Sequence, residues 1–178
     1  MTSMVGDDSG KEELRLYIPR FEDGWFYVRM MSDPATMAYN APWFPPDGCI
    51  PNPEEEWAAI QSAWIGNAPM RFYAFLQRMS DGAFVGDVNY HRAPGQAWCD
   101  MGIVICAPER GRGYGKQGLR LLTERAFRID GVACLHNDFE TARGAALRIH
   151  KAAGFREIGS RDGLCHLELT REEYLSRA

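Results

Sequence analysis

The sequence predicts an α+β fold (mixed α/β), with a mostly antiparallel central sheet flanked by helices. Two observations carry that expectation. Tight glycine turns join strand-like runs over residues 71–107, and three- and four-residue apolar spacing takes over from residue 113 to 153. The 178 residues contain no internal repeat, low-complexity tract or second boundary, which makes a loose tail over 1–12 and one domain over 13–178 the simplest organisation.

"ELRLYIPRF" (13–21) reads as the first strand, and Glu22 to Met37 reads as a helix. A loop with five prolines follows, "NAPWFPPDGCIPNPEEE" (40–56). Asn52-Pro53 then opens a second helix with Glu54, Glu55 and Glu56 in its first turn, where carboxylates suit the helix dipole. Ser80-Asp81-Gly82 is a hairpin turn between "MRFYAFLQRM" and "AFVGDVNYHR", and Ala93-Pro94-Gly95 turns into "AWCDMGIVICA". Gly113 to Ile129 reads as a helix stopped by Gly131, "VACL" (132–135) as a short strand, and Ala142 to Ala153 as a helix stopped by Gly154. "FREIG" and "LCHLELT" close the sheet, and "REEYLSRA" forms a last helical turn.

Composition narrows the class. The chain is 46% hydrophobic and 25% charged, with no apolar run near the roughly 18 residues of a membrane span. The N-terminus lacks the basic and apolar regions of a signal peptide. Five cysteines, an odd count without a C-x-x-C pair, fit a reduced, cytoplasmic setting. A net charge of −4 argues against nucleic acid and mildly for a cationic small molecule. The histidines show no metal-ligand spacing with the cysteines, so no metal is expected. A homodimer is an open possibility.

The chemistry concentrates in "ERGRGYGKQG" (109–118), which contains parts of three phosphate-binding signatures. A P-loop fails, because only three residues separate Gly111 from Gly115 and Gln117 stands where a magnesium-binding hydroxyl belongs. A dinucleotide G-x-G-x-x-G (Gly113, Gly115, Gly118) needs a parallel doubly wound sheet, for which too little chain follows. R-x-x-G-x-G from Arg110 fits. Gly111, Gly113 and Gly115 let backbone N–H groups converge on a pyrophosphate at a helix N-terminus, and Arg110, Arg112 and Lys116 add positive charge. A glycine-rich turn with solvated arginines is the plainer reading of the same residues.

"IVICAPERGRGYG" followed some forty residues later by "TARGAALRIHKAAGF" resembles the GNAT family of acetyl-CoA-dependent N-acetyltransferases, over about Leu14 to Glu168. The resemblance implies transfer of an acetyl group from acetyl-CoA to a primary amine of a small molecule or peptide, without a metal. It implies that the strand before the loop splays from its neighbour and offers backbone N–H groups to pantetheine, by position Ile103, Val104 and Ile105. Tyr114 falls within the implied cofactor loop, and Arg143 stands where the family commonly carries Asn. His150 stands where the family commonly carries the Tyr that protonates the departing thiolate.

A Lys-like amine, with a pKa of about 10.4, needs a base before it can attack a thioester. The family's preference for a carboxylate near the start of the splayed strand points to Asp100, with Asp138 and Glu140 as rivals. A solvent-facing Asp100, and helix N-capping by Asp138 or Thr141, are the structural alternatives. His150 shares a helix face with Arg143 and Ala146, as an acid or as a half-buried face residue. Trp43, Phe44, Asp47 and the Glu54–Glu56 cluster are candidates for an amine-accepting wall, or for closing the core. The competing class is a non-catalytic acyl-CoA-binding sensor.

Overall fold

In the computed structural model, which describes residues 12–177, one seven-stranded sheet runs in the order β1-β2-β3-β4-β5-β7-β6. The strands are β1 (Leu14–Tyr17), β2 (Arg71–Arg78), β3 (Phe84–His91), β4 (Cys99–Ile105), β5 (Cys134–Glu140), β6 (Arg156–Arg161) and β7 (Leu164–Thr170). Every neighbouring pair is antiparallel except β4 and β5, which run parallel. The antiparallel meander excludes the doubly wound sheet of the dinucleotide reading. The expected tail lies outside the described residues, apart from Glu12.

The helices are α1 (Gly24–Met31), α2 (Pro34–Met37), α3 (Pro53–Ala63), α4 (Tyr114–Glu124), α5 (Gly144–Ala153) and α6 (Arg171–Leu175). They leave a core on each side of the sheet. On one side α1 and α3 bury Phe26, Tyr27, Met30, Trp57 and Ile60 against Tyr73, Phe75 and Val104. Trp57 stacks on Phe75 at 5.6 Å, and Phe26 meets the same ring edge-on at 4.9 Å. On the other side Leu119, Leu122 and Ala126 of the α4 segment pack on Leu76, Val88 and Tyr90. A Cβ on Gly118 would come within 2.7 Å of Leu76 and 3.0 Å of Ile103, so this glycine lets α4 lie close on β2 and β4.

Three expected elements differ. The helix over Glu22–Met37 is broken at Ser32-Asp33: Asp33 caps α2 by accepting from the Ala35 and Thr36 amides, and Pro34, lacking an N–H, opens it. The helix over Gly113–Ile129 ends in a π-helical turn at Arg125–Ile129, where Asp130 takes the Arg125 guanidinium at 2.8 Å and the Tyr90 hydroxyl at 2.5 Å. β5 is seven residues instead of four, because β7 pairs with it throughout, from Cys134↔Thr170 to Glu140↔Leu164. Asp138 is therefore a strand residue, and neither it nor Thr141 caps a helix; Arg143 stands at the N-cap of α5.

Candidate active site

β4 and β5 pair only at Cys99↔Leu135 and Asp100↔His136. Beyond those residues they separate, and the facing edges of Met101–Ile105 and Asn137–Glu140 have no strand partner among the described residues. The Cys106 amide donates to the Val85 carbonyl at 2.9 Å, which sets the alternation of the β3–β4 ladder. Asp87↔Val104 and Asn89↔Gly102 are then hydrogen-bonded pairs, and Ile103 and Ile105 turn their backbone groups to the opening. Of the expected trio, Ile103 and Ile105 face the opening with their backbone, whereas the amide of Val104 faces β3 and its side chain packs in the α1–α3 core at the cavity wall.

The opening leads to the start of α4. Gly111 (φ +80°) and Gly113 (φ +81°) take left-handed conformations, and a Cβ on either would meet no protein atom within 4 Å. Gly113 is the N-cap of α4, no side chain caps the helix, and its first intrahelical acceptor bond is Gln117 to Gly113. The amides of the first turn point outward with the positive end of the dipole behind them. Such a cradle fits a pyrophosphate.

The side chains around it divide differently from the sequence reading. Arg110 is committed to the protein, donating to the Ile105 carbonyl (3.1 Å), the Ala35 carbonyl (3.2 Å) and the Thr36 carbonyl (2.7 Å). The Ala107 amide donates to the Thr36 hydroxyl at 2.9 Å. Together they staple the loop to α2, so the break at Asp33-Pro34 positions the cradle. Arg112 is half exposed and pairs with Glu109 at 3.6 Å, and neither it nor Lys116 lines the cavity. Tyr114 is buried, with its hydroxyl against Glu12 and Arg78, leaving only its backbone to the loop.

A single cavity of about 1110 Å³ joins this cradle, the gap between β4 and β5, and a pocket under α1 and α3. Trp43, Phe44, Asp138, Arg143 and His150 line it, as does Glu56 of the acidic cluster. Asp47, Glu54 and Glu55 do not; Asp47 instead accepts from the Cys49 amide. Arg143 lies over the Tyr39 ring at 4.8 Å and near Glu140 at 3.9 Å. Glu140 is off the cavity.

Asp100 is also off the cavity. It sits where β4 and β5 still pair, accepting from the Trp98 indole at 3.2 Å and bonding His136 Nδ1 at 2.9 Å. His150 is 1% exposed between the rings of Phe139 and Phe155. Its Nδ1 is 2.8 Å from the Ala146 carbonyl, which can only accept, so Nδ1 carries the proton. Nε2 then accepts from the Asn137 amide at 2.9 Å. Burial lowers the pKa of the ring below its ordinary value.

The sequence reading missed Asp87, Asn137 and the tyrosines of the pocket. Asp87 is 1% exposed on β3, lines the cavity, and accepts the Tyr73 hydroxyl at 2.5 Å. Beside it the Tyr27 hydroxyl donates to Glu56 at 2.5 Å, and Tyr27 stacks on Trp57 at 5.4 Å. Its signal in the sequence was a lone carboxylate inside an otherwise strand-like run, "AFVGDVNYHR". Burial there pushes the Asp87 carboxyl up to about 7, the Tyr73 hydroxyl and the nearby Val104 amide pull it back, and the Glu56 charge adds to the rise.

Residues 13–156 match the family model of the acetyltransferase (GNAT) domain. The chain belongs to the GNAT acetyltransferases. No curated protein sequence matches it significantly. Among solved structures, the spermidine N-acetyltransferase from Vibrio cholerae in complex with CoA and spermine is similar at 16% identity and a TM-score of 0.73, covering 91% of this chain and 98% of that one. A GNAT-family acetyltransferase from Bacillus anthracis is similar at 16% identity and a TM-score of 0.70, with the same coverage. Apo FdhC, described as a nucleotide-linked sugar GNAT, is similar at 14% identity and a TM-score of 0.74, covering 93% and 91%. At these identities the likeness shows the GNAT fold. Among the described residues no helix is long and apolar enough to cross a membrane.

Proposed function

We propose that this GNAT protein transfers the acetyl group of acetyl-CoA to a primary amine of a small molecule by direct attack, in the cytoplasm. The observation that carries the reading is the continuity of one cavity from the α4 cradle, through the β4–β5 gap, to a pocket walled by aromatic rings and by Glu56 and Asp87. Gly111, Gly113 and Gly115 would hold the pyrophosphate, and the backbone of Ile103 and Ile105 would hold the pantetheine arm. Bound there, acetyl-CoA supplies an activated acyl group. The rings of Trp43, Phe44, Tyr39 and Trp64 suit an ammonium-bearing acceptor. A spermine-bound neighbour of the same fold supports a polyamine-like amine as the first class to try. Five free cysteines suit a reducing compartment.

A thiol-release assay with acetyl-CoA across polyamines, aminoglycosides, amino acids and peptide N-termini tests the proposal. Amine-dependent release on at least one acceptor is expected. CoA binding without release on any of them would instead favour a sensor.

His150, with its proton turned to the Ala146 carbonyl, serves in this reading to hold Asn137 at the cavity wall. The His150→Phe protein should lose about 1–3 kcal/mol of stability, because it leaves buried polar groups without partners. Its turnover should change less than about tenfold, below the usual contribution of a general acid. Thermal melts and steady-state rates on one sample separate the two effects, and a turnover loss of about a hundredfold with intact acetyl-CoA affinity would restore the acid role.

A further inference from the structure

Asp87 is a carboxylate with no structural duty equal to its cost. Burying an ionisable group in an apolar core is unfavourable unless its hydrogen bonds are made. Yet Asp87 Oδ1 has no hydrogen-bond partner among the described residues, while Oδ2 holds the Tyr73 hydroxyl. The side chain lines the cavity, and Asp87 stands opposite Val104, whose neighbours Ile103 and Ile105 turn their backbone groups to the β4–β5 gap. The titratable groups around it are Tyr73 of β2, Tyr27 of α1, Glu56 of α3, Tyr39 of the turn after α2, and Cys106 at the end of β4. None of these is a cation; His91 of β3, Arg110 and Arg143 line the same cavity, but Arg110 is held by the Ile105, Ala35 and Thr36 carbonyls and Arg143 by the Tyr39 ring and Glu140. A cationic acceptor would neutralise Asp87.

Resting on the proposed N-acetyltransferase activity, we propose that Asp87 is the general base that removes the acceptor ammonium proton, with Tyr73 as the residue that positions its carboxylate. Oδ1 takes one proton from the ammonium. The freed lone pair forms the C–N bond to the acetyl carbon as the C–S bond breaks, and the remaining displaced N–H proton goes to the CoA sulfur. The neutral product amide no longer pairs with a carboxylate, which favours its release. Such a base works only when deprotonated, so kcat/KM should rise with pH through about 7.

The charges nearby set opposite shifts. Removing the Tyr73 hydroxyl takes away a bond that favours the carboxylate, so the Tyr73→Phe protein should show its pH limb at higher pH. Removing the Glu56 charge relieves repulsion, so the Glu56→Gln protein should show its limb at lower pH. Asp87→Asn keeps the shape and the Tyr73 bond, and should lose about 10²–10⁴-fold in kcat, together with the pH limb, at unchanged acetyl-CoA affinity by calorimetry.

A second readout does not use activity. An Asp near its ordinary pKa of about 3.9 when unfolded, but near 7 when folded, binds its proton more tightly in the native state. Its contribution to stability therefore falls as pH rises between those values, and Asp87→Asn should remove that fall from the difference in denaturant midpoint. Turnover of Asp87→Asn within about threefold of the parent, with the pH limb retained, would overturn the base assignment while leaving the acetyltransferase reading intact. A parent protein that releases no thiol with any amine would overturn both.

Discussion

Replacing Gly113 with valine is expected to weaken acetyl-CoA binding by about a hundredfold, roughly 2.7 kcal/mol at 1.36 kcal/mol per decade. Two effects combine. The residue sits at φ +81°, ψ 4°, a conformation that costs an L-residue about 1–2 kcal/mol, and a β-branched one more. Relaxing that strain turns the first amides of α4 away from a common point. The added side chain would also project into the open space where no protein atom lies within 4 Å, the space the pyrophosphate approaches through. Gly95→Val supplies the control: φ is +80° and the space is again open, but the residue lies in the β3–β4 turn. It should lower stability and leave affinity unchanged. Calorimetric titration of both proteins with acetyl-CoA decides the matter, and unchanged affinity in Gly113→Val would remove the cradle from the account.

A large loss of stability is expected at Gly86. A Cβ there would lie 2.0 Å from the Val104 carbonyl oxygen and 3.1 Å from the Ile105 Cα, both backbone atoms that cannot rotate aside. The register shifts beside this residue, with Leu76 opposite Gly86 and Gln77 opposite Phe84, which places a bulge next to the close approach. Gly86→Val must push β3 from β4 next to the gap that the site needs. A cost of about 3 kcal/mol, at the upper end for overpacking, corresponds to about 6–12 °C in Tm for a chain of this size. Gly159→Ala, on the exposed edge strand with nothing within 4 Å of its Cβ, should melt within about 2 °C of the parent.

What the sequence made legible was local. The R-x-x-G-x-G loop, the hairpin at Ser80-Asp81-Gly82 and the glycine stop of α5 each depend on residues within a few positions, and each lies where it was expected. The break between α1 and α2 was not read, although its signal, Asp33-Pro34, is equally local. The rest of what escaped was set by distance along the chain. Arg110 reads as a phosphate ligand until Ala35 and Thr36, some 75 residues earlier, take its guanidinium. Asp138 reads as a helix N-cap until β7 supplies a full ladder of partners. Asp100 lies on the expected strand, at the end where β4 and β5 still pair, a position that only the pairing with β5 makes visible. Asp87 looks like an ordinary strand residue until α1 and α3 cover it.

The proposed direct acetyl transfer to an amine underlies the roles given to the cradle and to Asp87. Its closest test follows an isotopic label from the acetyl group of acetyl-CoA in one reaction, with an acceptor from the thiol-release panel. One labelled acetyl amide is expected for each thiol released, with no label retained on the protein and none of this without the amine. Thiol release without labelled amide, or label held covalently by the protein, would contradict direct transfer.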